Sequence, residues 1–205
     1  IELSVFFYSR TEADRDWTVP VGDAGGPGRP RVEFLPGRAF HVRGRRSLFF
    51  HWNPAVRDRL RRGRFDAVVI PGWSMPTSVV AAMACRVRRI PYVIFSETHD
   101  RSPRPAWLRL TKRVALRPII TGAAAWLATG TLSEQFLARH GADRSRIFRF
   151  ANTPDVESLR RRVDAARPRR AATRAALGVP PDEPMALFVA RLIGAKDPVC
   201  LIEAQ

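Results

Sequence analysis

Short, uninterrupted apolar runs recur along the chain, and segments with helical periodicity separate them. Asp66–Ile70, Tyr92–Phe95 and Ala124–Ala128 lack the polar alternation of a half-exposed strand. Such runs are typical of parallel strands that helices cover on both faces. Strands that alternate with helices form βαβ units. The pattern therefore predicts an α/β fold built on a Rossmann-like, doubly wound parallel sheet.

The other elements follow from the same patterns. Further strands are predicted at Leu3–Tyr8, Val32–Leu35, Ile147–Phe150 and Met185–Ala190. Helices are predicted at Pro54–Arg62, 77–89, 105–117 and after the capping box Thr131–Glu134. Asn53 is expected to cap the first of these helices. In the second, the apolar side is predicted to consist of Val79, Val80, Met83 and Val87.

A change in composition divides the chain. Residues 160–174 hold seven arginines and little to bury, which predicts a surface helix and a linker. We expect an acceptor-side Rossmann-like domain at 1–155 and, at 156–205, the linker and the first βα unit of a second Rossmann-like domain. Because Ile1 opens directly on a strand-like run and the last helix lacks a cap, material is expected to be missing at both ends, including a first strand.

The charge balance is strongly positive. Lysine and arginine number 35 against 19 aspartates and glutamates, a net charge of +16, and only Lys112 and Lys196 are lysines. This excess suggests an anionic partner such as nucleic acid, a membrane surface or a phosphorylated substrate. A GC-rich coding sequence would give the same arginine-rich composition, so both explanations stay open.

The remaining composition narrows the class of protein. An apolar fraction of 45% is typical of a globular domain and excludes a disordered or collagen-like chain. Cys85 and Cys200 form no CxxC pair and are expected to be buried free thiols in a reducing compartment, hence the cytoplasm. The longest apolar stretch, Val114–Ala128, is too interrupted to span a membrane. The glycine-rich run 22–30 matches no phosphate-binding motif, and no GxSxG or HExxH motif occurs.

Ligands of open α/β sheets bind beyond the carboxyl ends of the strands. This rule selects Pro71–Trp73, Glu97–Asp100, Thr129–Thr131, Asn152–Asp155 and Arg191–Lys196. In an extended segment, Glu97 and His99 would point the same way. They could act as general acid or base, as metal ligands or as hydrogen-bond partners of a polyol, or simply cap their own loop.

Arg191 and Lys196 follow the last predicted strand. An arginine offers a planar fork and a lysine a mobile point charge, a combination that suits a diphosphate. The alternative is that both are solvated surface cations.

Several passages resemble one enzyme family. Ala186–Asp197 and Leu201–Ala204 resemble the V-G-R-L-x-x-x-K-G … L-I-x-A segment of retaining nucleotide-sugar glycosyltransferases of group 1, which have two Rossmann-like domains in the GT-B architecture. Leu132–Gly141 and Arg146–Asp155 resemble the family's S-x(8)-G … K-I-x-V-I-x-N-G-V-D passage, and Arg174–Asp182 is similar to its R-x-x-L-G-I-P-x-D segment.

The chain also departs from the family pattern. Ala190 and Asp197 stand where the family has glycines, and the glycine before the family's aspartate is absent near Pro154–Asp155. The family's E-x(7)-E region, which holds the ribose and the donor sugar, lies further downstream than this sequence extends. We therefore expect the 205-residue piece to be inactive alone.

The resemblance implies roles for five residues. Arg191 and Lys196 would hold the diphosphate of a nucleotide sugar and stabilise the leaving group. His99 and Glu97 are the candidate catalytic residues: His99 would reach the donor sugar or reacting centre, while Glu97 and Trp73 would line the acceptor cleft. Such enzymes are thought to react by front-face displacement without a protein nucleophile. The nucleotide sugar is a co-substrate, and neither a cofactor nor a metal is implied.

The function that this resemblance implies is hexosyl transfer to a glycan or lipid-linked acceptor in polysaccharide biosynthesis. A cytoplasmic enzyme is expected, with peripheral contact to the inner face of an anionic membrane through a basic helix that carries Trp107, Arg109, Lys112 and Arg113. The alternative is an arginine-rich α/β binding module for nucleic acid or an anionic membrane surface. Nucleic acid is disfavoured because aromatic residues do not interleave with the arginines.

Overall fold

A computed structural model of the chain describes residues 1–11, 30–42, 48–99, 106–190 and 196–203. Most of the glycine-rich run 22–30, Asp100 and Arg191 lie outside the described residues, as do the side chains of the predicted basic helix from Trp107 to Arg113. The chain folds into two compact units, Ile1–Asn152 and Thr153–Gln205.

The first unit alternates strands and helices. Its strands are β1 (Ser4–Phe7), β2 (Arg31–Phe34), β3 (Arg38–Val42), β4 (Leu48–Trp52), β5 (Val68–Pro71), β6 (Tyr92–Ser96), β7 (Ala125–Ala128) and β8 (Ile147–Arg149). Its helices are α1 (Ala55–Arg62), α2 (Pro76–Arg88), α3 (Ala106–Thr121), α4 (Thr131–Arg139) and a 3₁₀ turn at Arg144–Arg146.

Strands β5 to β8 form a four-stranded parallel sheet in sequence order, and α2, α3 and α4 connect them. Strands β1 and β2 form a parallel pair, and β3 and β4 form an antiparallel hairpin. The predicted α/β fold with a Rossmann-like parallel sheet is confirmed.

The core lies on one face of the four-stranded sheet. One cross-strand row, Ile70, Ile94 and Trp126, is buried with residues of α2, α3 and α4. Side chains of the opposite face are more accessible: Val69 is 61% exposed and Phe148 is 56% exposed. The prediction that helices cover both faces is therefore wrong at these positions, because the three connecting helices contribute to the same core.

The side of helix α2 predicted to be buried is only partly so: Val79 and Val80 pack against the core, whereas Met83 and Val87 do not. Its buried positions hold small residues, namely Thr77, Ser78, Ala81, Ala82, Ala84 and Cys85. Met83 is 48% exposed and Val87 is 81% exposed. Helix α2 is apolar on nearly all sides, so periodicity could not identify the buried side. Small side chains let the helix lie close to the sheet.

Asn53 is a buried connector and not the predicted helix cap. Pro54 occupies the cap position of α1, without a side-chain cap hydrogen bond. Asn53 Nδ2 donates to the carbonyl oxygens of Tyr8, at 3.0 Å, and Leu35, at 2.9 Å, which follow β1 and β2. Its backbone N–H donates to Thr77 Oγ1 at 2.9 Å, and Thr77 Oγ1 donates to the His51 carbonyl. One side chain thus joins the ends of two strands.

The predicted capping box of α4 is also wrong. Gly130 occupies the cap position, Thr131 is already helical, and no side-chain cap hydrogen bond forms. The Glu134 side chain instead accepts from Arg149 Nε at 3.1 Å. A partner on the neighbouring strand β8 therefore replaces the local hydrogen bond that the sequence suggested.

The regular elements described in the second unit are helices: α5 (Val156–Ala166), a 3₁₀ turn (Arg167–Arg169), α6 (Arg170–Ala176) and α7 (Pro198–Glu203). Arg174 is buried and donates to the carbonyl oxygens of Pro180 and Glu183. Cys200 is exposed, so only Cys85 fits the prediction of buried thiols.

The predicted strand Met185–Ala190 is wrong as well. Residues 184–189 have no regular structure, and Leu187 and Val189 are 70% and 82% exposed. A parallel strand is held by hydrogen bonds to a neighbouring strand. The described residues of this unit contain no strand that could supply them.

Candidate functional site

A pocket of about 250 Å³ opens where β5 and β6 end. It is lined by Pro71, Gly72, Trp73, Ser74, Phe95, Ser96, Glu97 and Thr98. These are the carboxyl ends of adjacent parallel strands, which is where ligands of open α/β sheets bind. Two of the segments selected from the sequence therefore meet in one cavity.

The turn after β5 depends on a glycine. Gly72 has φ of +69°, a conformation that costs little only for glycine, and its N–H donates to the Ile70 carbonyl at 2.9 Å. The turn directs Trp73 inward, where its ring stacks on Phe136 with centroids 5.6 Å apart. Trp73 is 9% exposed, so it forms a rigid wall of the pocket.

Hydrogen bonds from α4 and its preceding turn hold the end of β6. The Ser96 carbonyl accepts from Ser133 Oγ at 2.7 Å and from the Thr129 N–H at 3.2 Å. Ser96 Oγ accepts from the Thr98 N–H at 3.2 Å. Ser96 and Ser133 are buried, so the peptide leading to Glu97 is fixed from both sides.

Glu97 makes a hydrogen bond that spans the sheet edge. Asn152 Nδ2, beyond the end of β8, donates to Glu97 Oε1 at 2.8 Å. Beside this pair, the rings of Phe95 and Phe150 meet edge to face, with centroids 5.8 Å apart. Because the side-chain amide nitrogen of Asn152 points to Glu97, the side-chain oxygen of Asn152 and the Glu97 carboxylate present hydrogen-bond acceptors on an exposed surface. Such acceptors suit the hydroxyl donors of a sugar.

The other candidate residues are placed as follows. His99 is exposed and lies two residues beyond Glu97. Lys196 is exposed in the second unit, just before α7. Arg191 and Asp100 lie outside the described residues. The catalytic and diphosphate-binding roles of His99, Glu97, Arg191 and Lys196 stay predictions.

Sequence reasoning missed two features of the site. Asn152 was selected only as part of a strand-end segment. No local sequence pattern indicates its hydrogen bond to Glu97, because the two residues are 55 positions apart in the chain. Ser133 appeared only inside a supposed capping box, whereas its hydroxyl holds the end of β6. A strand-end rule identifies segments, but it does not identify partners across the sheet.

Two other findings concern the described residues alone. They contain no group of three or more His, Cys, Asp or Glu side chains arranged to hold a metal ion. No helix among them is both long and apolar enough to cross a bilayer.

A parallel α/β unit whose pocket lies at the carboxyl ends of its strands has the architecture of a Rossmann-like enzyme domain. A family model described as "Glycosyl transferase 4-like domain" matches residues 2–153, well over half of the chain. The chain belongs to this family, and it is a glycosyltransferase-type protein whose substrates are a sugar donor and an acceptor. Comparison with curated proteins gives no match.

Proposed function

We propose that this chain provides the acceptor-side domain of an enzyme that transfers a hexosyl group, with retention, from a nucleotide sugar to a glycan or lipid-linked acceptor. The observation that carries the proposal is the Glu97–Asn152 pair beside the pocket that Trp73 closes. An exposed carboxylate and amide next to a rigid aromatic wall combine hydrogen-bond acceptors with an apolar surface, as sugar recognition requires.

In this proposal, Glu97 accepts hydrogen bonds from acceptor hydroxyls and receives a proton as the new glycosidic bond forms. Asn152 holds the carboxylate in place, so its effect on the reaction is exerted through Glu97. Trp73 shapes the cavity, and His99 extends from the same loop toward the donor sugar. No nucleophilic side chain is assigned.

The donor half of the reaction depends on the second unit. Arg191 and Lys196 would bind the diphosphate, and their positive charge would stabilise the leaving group as the bond to the sugar breaks. The arginine-rich composition suits a donor that carries two phosphates. A cytoplasmic location at the inner face of a membrane follows from a lipid-linked acceptor and is part of the same proposal.

A transfer assay with the complete protein tests the proposal. The 205-residue chain is assayed beside it as a separate sample. Uridine, guanosine and thymidine diphosphate sugars serve as donors, and release of the nucleoside diphosphate is measured with and without acceptor. We expect acceptor-dependent release by the complete protein and none by the 205-residue chain. Release by neither sample with any donor would contradict the proposal.

Variants then test the site. Glu97→Gln keeps the size of the side chain but loses the base, and general-base contributions are typically about 10² to 10⁴ in rate, so kcat is expected to fall about a hundredfold or more. Asn152→Ala is expected to raise the acceptor KM. Glu157→Gln, on an exposed surface of α5, is the matched control and should leave both constants unchanged. Equal rates for the Glu97 and Glu157 variants would remove Glu97 from the mechanism.

A further inference from the structure

One face of the β3–β4 hairpin presents aromatic rings to solvent. Adjacent residues of a strand point to opposite faces, and His51 of β4 is buried beside Tyr8, with the two ring centroids 6.4 Å apart. Trp52 therefore lies on the opposite, outer face of the hairpin, and it is 41% exposed. Phe40 on β3 is 50% exposed. Exposed aromatic side chains that lie together are typical of a binding surface.

The strand register brings these rings together. In the antiparallel pairing, Phe40 lies opposite Phe50, and Arg38 lies opposite Trp52. Directly opposite residues of two paired strands share a face, and so do residues two apart on one strand. The four side chains therefore form one patch, which we call the hairpin platform. Its two rows are about 7 Å apart, since each residue advances a strand by about 3.4 Å.

Hydrogen bonds fix the base of the hairpin to the helix that follows the strand-end pocket. Thr77 Oγ1, in the first turn of α2, accepts from the Asn53 N–H at 2.9 Å and donates to the His51 carbonyl at 2.7 Å. Asn53 and Thr77 are both buried, so water does not compete for these bonds. Ser74 of the pocket lies three residues before Thr77. The hairpin platform and the pocket are therefore joined to the same end of α2.

The segment that contains the hairpin platform carries an excess of positive charge. Between positions 30 and 62, the described residues include six arginines and two acidic residues, Glu33 and Asp58. Both acidic residues pair with arginines of α1, so within this described segment no carboxylate neutralises Arg38. A guanidinium offers a fork of donors that fits a carboxylate. Arg38 beside an aromatic ring therefore suits a ligand that combines a carboxylate with an apolar ring face.

We propose that the hairpin platform binds an acidic glycan chain. The C–H groups on one side of a sugar ring pack on an aromatic ring, whose π face is negative. Two rows about 7 Å apart fit successive rings of an extended saccharide, and Arg38 binds a carboxylate that this chain carries. A glycosyltransferase-type protein acts on saccharides, which favours a glycan over a nucleic acid strand, whose bases also stack on aromatic residues.

The hairpin platform deepens the description of the acceptor. A chain bound there continues toward the pocket along the end of α2, where the Glu97–Asn152 pair would receive its terminal sugar. The acceptor would then be an acidic glycan of several sugars. This role of the platform rests on the proposed function, whereas binding of the glycan does not require transfer.

Isothermal titration calorimetry with the complete protein tests binding. The acidic probes are hexasaccharides of hyaluronan, alginate and polygalacturonate, and the neutral probes are cellohexaose and maltohexaose. We expect at least one acidic probe to bind about tenfold or more tightly than either neutral probe. Trp52→Ala and Phe40→Ala should each weaken this binding about fivefold, because each variant loses one ring contact. Arg38→Gln should remove the preference for acidic probes.

The chain offers a matched control for the aromatic variants. Phe148 also lies on a strand and is 56% exposed, but it belongs to the four-stranded sheet. Phe148→Ala should therefore leave glycan binding unchanged. Trp52→Phe retains a ring and should keep most of the affinity. Circular dichroism melting identifies a variant that fails to fold, and Trp52→Gln or Phe40→Ser then replaces it.

The transfer assay separates this proposal from the proposed function. With the bound hexasaccharide as acceptor, Trp52→Ala should raise the acceptor KM about fivefold and leave kcat unchanged, whereas Glu97→Gln lowers kcat. Transfer to other acceptors but not to the bound hexasaccharide would overturn the acceptor role of the hairpin platform. Absence of transfer to every acceptor would contradict the proposed function and leave the binding result as it stands.

Three binding results would overturn the proposal. These are no binding of any acidic hexasaccharide, equal losses of affinity in Phe40→Ala and Phe148→Ala, and tighter binding of a single-stranded hexanucleotide than of every acidic hexasaccharide. The last result would assign the hairpin platform to nucleic acid. Equal affinity for acidic and neutral probes would contradict the role of Arg38 and the acidic character of the ligand.

Discussion

Asn53 offers the sharpest test of how the first unit is held together. It is 1% exposed, and its side chain donates to the Tyr8 and Leu35 carbonyls after β1 and β2. Asn53→Ala removes both donors and leaves two carbonyl groups without partners. A buried polar group that loses its partner costs about 1 to 3 kcal/mol. Because the bond to Tyr8 is only partly buried, we expect a total loss of about 3 kcal/mol in the free energy of unfolding.

Urea unfolding followed by circular dichroism measures this loss. With a slope of about 2 kcal/mol per molar urea, the midpoint should fall by about 1.5 M. The only other asparagine in the sequence, Asn152, is the control, because its hydrogen bond to Glu97 is exposed and its replacement should shift the midpoint by less than about 0.3 M. Equal shifts in Asn53→Ala and Asn152→Ala would refute the argument from burial.

Three further predictions concern the pocket and the thiols. Burial raises the pKa of the fully buried Cys85 to about 11. At pH 8 a thiol reagent should therefore label the exposed Cys200 quickly and Cys85 only on unfolding. Because the folded state disfavours the Cys85 thiolate, the free energy of unfolding should fall as the pH rises from 9 to about 11. Below pH 9 this thiol should have no effect on it. Gly72→Ala forces a side chain into positive φ and should lower the free energy of unfolding in urea by about 1 to 2 kcal/mol. An unchanged free energy of unfolding would show that the turn does not require glycine. Ser133→Ala loses one buried hydrogen bond to the Ser96 carbonyl and should lower the free energy of unfolding by about 1 kcal/mol. If the variant keeps the wild-type stability and the wild-type acceptor KM, this bond does not fix the loop at Glu97.

Gly37 provides an independent check on the same connector. A Cβ at this position would overlap the amide group of Asn53, so the close approach of the two residues requires glycine. Gly37→Ala is thus expected to displace Asn53 and to destabilise the first unit, and combining it with Asn53→Ala should cost less than the sum of the two single changes. Full additivity, measured by urea unfolding, would show that the two residues are independent.

Local pattern was sufficient for the alternation of strands and helices. The apolar runs at β5, β6 and β7 predicted a parallel sheet because runs without polar alternation are typical of such sheets. The sheet is parallel, although Val69 and Phe148 on its second face are exposed. The strand-end rule also selected the segments that contain Gly72, Glu97 and Asn152, since in a parallel sheet all carboxyl ends lie at one edge. These features depend on order along the chain, which the sequence contains in full.

The order of apolar and helical segments along the chain was enough to predict the class of fold and the edge of the sheet at which a ligand would bind. Contacts between distant segments became visible in the folded chain alone. Asn152 bonds to Glu97, Asn53 holds two strand ends and does not cap a helix, and α2 buries its small residues and exposes Met83 and Val87. The physical reason is that local preferences are worth tenths of a kcal/mol to about 1 kcal/mol, whereas a buried hydrogen bond or a close-packed helix contact between distant segments outweighs them.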